Sequence, residues 1–225
     1  MCSPTNIMAT IIYIFCIIHF NSMLNKEGTM ENVINKNLFL VKEHTGIFKA
    51  ANNYDIYDPE NNQIIMECRE EKLGAFTKIL RFTDYKRMTP FDVAIRNTDG
   101  SQVVRISRGV SVFLSKVLVY DENDQHIGGF KQKMFSLGGA FTVLDSNDNA
   151  LCKLKGKWTG WDFRFISNNN EEFAHVSKKW SGLGKELFTS ADNYVLELSE
   201  KVPADAPLRK LILAAVMCID MVLKE

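Results

Sequence analysis

Thirteen residues near the C-terminus, LILAAVMCIDMVL from Leu211 to Leu223, carry one polar side chain, Asp220. A helix that is apolar on every face belongs in lipid or inside a protein. At 1.5 Å per residue the run spans about 20 Å, while a bilayer core is about 30 Å thick. It is too short to cross, Asp220 interrupts it, and it ends at once in Lys224 and Glu225. The run therefore predicts an enclosed helix, and an enclosed helix needs a container. Asp205 stands where it can cap the helix, and Pro207 suits the first turn.

The container is written upstream as short strands joined by Asn, Asp and Gly turns. NYDIY and QIIMECR flank DPENN, where Pro59 presets a turn and the Asn pair tolerates left-handed backbone. FDVAIR and QVVRISR flank NTDGS, whose Asp-Gly is a strong hairpin signal. Three more pairs flank DENDQ, DSNDN and SNNNE. With the segments near Leu38 and Asn193 this makes about 12 strands, a number that closes into a barrel too wide for strand side chains alone to fill. The fold class is therefore mainly β: a closed antiparallel barrel of about 12 strands around a central hydrophobic C-terminal helix. A short helix is also expected in EEKLGAFTKILRF, where Leu73, Phe76 and Leu80 recur at helical spacing.

Domain organisation follows. Residues 1–36 read as an N-terminal extension and 37–225 as the barrel domain. The extension contains a fourteen-residue apolar run, Ile7 to Phe20, with no Lys or Arg before it and no small-x-small cleavage site after it. Two readings stay open: a weak single-pass anchor, or an upstream segment outside the working protein. The five cysteines, Cys2, Cys16, Cys68, Cys152 and Cys218, are scattered and without CxxC spacing, which fits a reducing compartment and gives no zinc site. Formal net charge is zero, so no global field for nucleic acid exists and an anionic partner must be met by a local patch. The four histidines lack metal spacing, and no nucleophile elbow or complete phosphate loop occurs. A non-hydrolytic protein is expected.

KWSGLGKELFTSADNYVLEL (179–198) followed by LILAAVMCIDMVLKE resembles the C-terminal part of phospholipid scramblases. The matching residues are Trp180, Ser181, Gly182, Glu186, Phe188, Ala191, Asp192, Asn193, Tyr194, Ile219 and Asp220. LFLVKEHTGIFKAANNYDIYD is similar to the family's opening strands. The resemblance covers about Asn37 to Glu225 and implies the tubby-like fold, a barrel threaded by a hydrophobic helix. It implies phospholipid binding and bidirectional, calcium-influenced movement of lipid between leaflets; the alternative it leaves open is a non-transporting lipid- or protein-binding module. Ser190 stands where the family's calcium stretch begins with Asp. The family's proline-rich segment and cysteine cluster have no counterpart here.

Three candidate sites arise. CKLKGKWTGW sends Lys153, Lys155 and Lys157 to one strand face and continues into Trp158 and Trp161. The following hairpin returns Lys178, Lys179 and Trp180 to the same neighbourhood. Such lysines attract anionic headgroups at about 1 kcal/mol each, and Trp settles at headgroup level. The expected partner is anionic phospholipid or a membrane surface, met from the cytoplasm. A plain solvated strand face is the competing reading, as is a charge-decorated helix for the basic cluster Lys72 to Arg87. Asp192 and Asn193 are the candidate ligands for a weak calcium ion, although the stretch departs from an EF-hand loop. Asp220, if enclosed, needs a strand arginine or a backbone N–H as partner.

Overall fold

Four turns of identical construction set the frame. In 97–101, 121–125, 145–149 and 167–171 the first residue's N–H donates to the fifth residue's carbonyl, and the fourth residue's N–H donates back to the first carbonyl. The fourth residue takes left-handed backbone: Gly100 (φ 88°), Asp124 (56°), Asp148 (64°) and Asn170 (62°). Those residue types tolerate this region best. Side-chain oxygens of Asp121, Asp145 and Ser167 then accept N–H groups two and four residues on, which locks each loop. A fifth turn, 58–63, uses Asn62 (φ 58°) in a loop one residue longer.

These turns join strands β2 Tyr54–Tyr57 to β3 Ile64–Arg69, β4 Phe91–Asn97 to β5 Gln102–Arg108, β6 Lys116–Tyr120 to β7 His126–Gln132, β8 Phe141–Asp145 to β9 Ala150–Lys157, and β10 Asp162–Ser167 to β11 Glu172–Ser177. β1 Leu38–Glu43 pairs with β2 on one side and with β12 Asn193–Leu198 on the other, so the sheet closes into a twelve-stranded antiparallel barrel. Helix α1, Pro207–Leu223, follows β12. The computed structural model describes residues 33–43, 53–70, 89–110, 116–132, 141–157, 161–178 and 193–223, the side chains of 132, 157, 220, 222 and 223 excepted. The helix expected around Leu73–Leu80 and the cluster Lys72–Arg87 lie outside them. Residues 37–225 form one compact unit and 1–36 another.

Strand alternation decides what fills the cylinder. Ile56, Met66, Val93, Ile95, Val104, Ile106, Val119, Val143, Phe163, Phe165, Val176 and Leu196 are all fully buried, and α1 packs chiefly against β5, β7, β8 and β12. Every residue from Leu211 to Ile219 is buried, none more than 2% exposed. The expected enclosed helix is thus the core of the barrel. Gly128 shows how closely it packs: a Cβ there would lie 3.1 Å from Leu211 Cδ2 and 2.2 Å from the Leu144 carbonyl oxygen, and its φ of 147° excludes other residues. Among the described residues no helix is long and apolar enough to cross a membrane.

The start of α1 differs from expectation. The helix begins at Pro207, as the ring's fixed φ favours, but Ala206 occupies the cap position and Asp205 lies one residue outside, exposed. Ala cannot accept the orphan N–H groups. Ala206→Ser is accordingly expected to raise stability by about 0.5–1 kcal/mol in urea unfolding. A second small-effect prediction concerns acid. Asn149, through its side chain and then its backbone N–H, holds the Asp145 carboxyl below its ordinary value of 3.8, with Asn147 adding to it. A carboxyl lowered in the folded state contributes stability above pH 3.8, and that contribution fades as pH falls through the lower folded value. Asp145→Asn should therefore unfold at a less pH-dependent midpoint below about pH 4, read by circular dichroism during acid titration.

Candidate functional site

On β9, Cys152 and Leu154 point inward and are buried, while Lys153 and Lys155, alternating with them, are exposed. The expected alternation holds for these two. Lys157 ends β9; its side chain is outside the described residues, as are Trp158, Lys179 and Trp180. β10 and β11 add charges that sequence spacing did not single out. Arg164 lies opposite Lys155 in the β9–β10 register. It pairs with Glu172 at 3.1 Å and approaches Asp162 at 3.9 Å. His175, opposite Arg164 on β11, shares 2.8 Å with Asp162. Lys155 Nζ donates to Asn170 at 3.3 Å in the adjoining turn. Lys153 has no partner among the described residues. The surface is therefore a mixed one, basic toward β9 and balanced toward β11. These exposed pairs are each worth under about 1 kcal/mol.

Where β9 gives way to β10, Trp161 holds a left-handed backbone (φ 49°), a conformation uncommon for a bulky side chain. Three contacts keep it there. The N–H of Lys178 donates to the Trp161 carbonyl at 3.1 Å. The indole stacks on Tyr194, centroids 4.5 Å apart at 18°. The Lys178 ammonium lies 5.1 Å from the ring centroid. Tyr194 is 1% exposed while Trp161 is half-buried, so the stack has one face in the core and one at the barrel's rim. A cation over an indole contributes about 0.5–1 kcal/mol when exposed. The hairpin does return Lys178 to Trp161, as expected from the chain's direction. Tyr194, the ring that completes the stack, was legible only as part of a family pattern.

Asn193 opens β12 opposite Lys42 and is 3% exposed; Asp192 lies outside the described residues. Among the described residues no three His, Cys, Asp or Glu side chains are grouped to hold a metal. One buried amide does not make the oxygen-rich shell that calcium takes, so the described residues do not by themselves fit the ion. Asp220 sits in α1 between buried Ile219 and Met221, and its side chain is not described. One strand arginine does lie inside the barrel: Arg108, 4% exposed, donates to the Thr89 carbonyl at 2.7 Å and sits 4.6 Å over the Phe91 ring.

The architecture and this corner define a class: helix-filled β-barrel proteins with a basic, aromatic outer edge. The Scramblase family profile matches residues 19–225, starting upstream of Asn37. The chain belongs to the Scramblase family. No curated protein matches it. An X-ray structure of a protein from Arabidopsis thaliana is similar at 13% identity and a TM-score of 0.49, over 83% of this chain and 91% of that one.

Proposed function

We propose that this scramblase-family protein binds anionic phospholipid at the cytoplasmic face of a membrane, through Lys153, Lys155 and Lys157 with Trp158, Trp161, Lys178, Lys179 and Trp180. The observation that carries the reading is the Lys178–Trp161–Tyr194 stack beside the exposed lysines of β9. It couples a fixed cation to an amphipathic ring that has one wet face, the combination that headgroup depth favours. The chemistry is non-hydrolytic: charge attraction orients the barrel and the indoles settle among headgroups.

Movement of lipid between leaflets, influenced by calcium, is the further step that the family suggests. A binding module without transport is the second reading, and a specific observation favours it: Leu211 to Ile219 of α1 are buried inside the barrel, so this stretch of the helix offers no path across a bilayer. Two liposome experiments separate the readings. Co-sedimentation with anionic against neutral vesicles reports binding; changing Lys153 and Lys155 to Ala should weaken it by about fivefold per lysine. Unchanged sedimentation in that variant removes β9 from the reading. Dithionite quenching of a labelled lipid, with calcium and with chelator, reports transport.

A further inference from the structure

The registers of β6 to β9 bring together residues that lie far apart in the chain. Lys116 pairs with Lys131 across β6–β7, Lys131 with Thr142 across β7–β8, and Thr142 with Lys153 across β8–β9. All four belong to the outer face: the three lysines are exposed and Thr142 is half-buried. One transverse row therefore reads Lys–Lys–Thr–Lys over four adjacent strands. At about 4.8 Å between strands, the Cα atoms of Lys131 and Lys153 are roughly 10 Å apart with the Thr142 hydroxyl midway. Two four-carbon stems of that spacing can bring both ammonium groups onto a single anion above Thr142, whose hydroxyl supplies a third donor.

The row is electrostatically unfavourable as it stands, because like charges directly opposite each other on neighbouring strands repel. One partial remedy is built in. Asp148, from the β8–β9 turn, reaches Lys116 at 2.9 Å. That hydrogen bond, followed by the nearby charges of Lys116, Lys131 and His126, pulls the Asp148 carboxyl below its ordinary range. Lys131 feels the same carboxylate without pairing with it, and Lys153 has no such partner among the described residues. The turn carboxylate answers one end of the row and leaves the other end open.

We infer that Lys131, Thr142 and Lys153 form a binding site for a phosphomonoester, with Lys116 as an outer member restrained by Asp148. A monoester carries more charge than a diester near neutral pH and presents three acceptor oxygens, which matches two ammonium groups and a hydroxyl. The inference rests on the headgroup reading above and sharpens it from any anionic lipid to one class. It also extends the site from Lys153 on β9 onto β7 and β8.

The test uses the full chain and vesicles of phosphatidylcholine doped with phosphatidic acid or with phosphatidylglycerol, adjusted to equal surface potential. Soluble sn-glycerol 3-phosphate serves as a membrane-free arm, followed by the amide shift of Thr142. The expected result is tighter sedimentation with phosphatidic acid, by about fivefold or more. That preference disappears in Lys131→Gln/Lys153→Gln, exposed changes that leave the melting temperature in place, while phosphatidylglycerol binding persists more weakly. Asp148→Asn, which releases Lys116, should strengthen the phosphatidic acid preference. Equal affinity for the two lipids, or a preference that survives the double change, overturns the row while leaving general headgroup binding intact. A Thr142 response to glycerol 3-phosphate without sedimentation supports the row and assigns it a soluble ligand, overturning the membrane reading. Silence in every arm overturns both.

Discussion

Leu213→Asp is expected to abolish the folded state. Leu213 is fully buried on α1 within the barrel. The change removes burial worth about 2–3 kcal/mol and places a carboxyl where no partner was provided, at a further cost of several kcal/mol even if it neutralises. Native domains hold only about 5–15 kcal/mol in total. Urea unfolding followed by circular dichroism should show no cooperative transition at neutral pH. Leu213→Met keeps the volume and should cost under about 1.5 kcal/mol. Were α1 instead uncovered, the Asp variant would become more soluble and stay folded.

The second large effect separates two neighbours at the helix start. Arg209 is 2% exposed and donates to the Val202 carbonyl at 3.0 Å and to Asn37 Oδ1 at 2.9 Å. It thereby ties α1 to the connection after β12 and to the residue preceding β1. Burial pulls its pKa down, but a guanidinium stays charged, and here it stands near the positive end of the helix dipole, where a cation is disfavoured. Its bonds must outweigh both costs. Arg209→Met strands the buried Val202 carbonyl, while the exposed Asn37 side chain can turn to water, and should lower stability by about 1–3 kcal/mol. Arg209→Lys, which lacks the planar fork, should recover only part of that loss. Lys210, next in sequence, pairs with Glu122 at the surface; Lys210→Met should change stability by under about 1 kcal/mol. Equal costs at the two positions would show that Arg209 is not the tie described.

These cases also show where sequence reading reaches and where it stops. Turn chemistry is local, so Gly100, Asp124, Asp148 and Asn170 could be anticipated from composition alone, and with them the strand count. The inward apolar helix was legible because no other part of the chain could fill so wide a barrel. Arg209 was not, because a polar residue beside an apolar run reads as the helix's wet end until the partners at Val202 and Asn37 are known. The same holds for Asp205, a better cap by type than Ala206 but one position too early. On β9, alternation found Lys153 and Lys155, while Lys116, Lys131 and Thr142 joined them only through cross-strand register, which a single sequence does not encode locally. Four of the residues singled out for lipid or calcium, Trp158, Lys179, Trp180 and Asp192, lie beyond the described segments and stand as proposals.

Thiol reactivity tests the enclosed helix most directly. Cys218 lies in the middle of α1 and is fully buried, as are Cys68 and Cys152 on the facing strands. Burial raises all three thiols, Cys68 and Cys152 to about 12, so almost none is thiolate at neutral pH. The measurement is pulsed maleimide labelling in detergent-free buffer across a urea series, with modified cysteines assigned by mass spectrometry. The barrel predicts that Cys218 stays unlabelled in native buffer and becomes reactive together with Cys68 and Cys152 at the unfolding midpoint. Labelling of Cys218 in native buffer at the rate of an open thiol, while Cys68 and Cys152 remain protected, would put the helix outside the barrel.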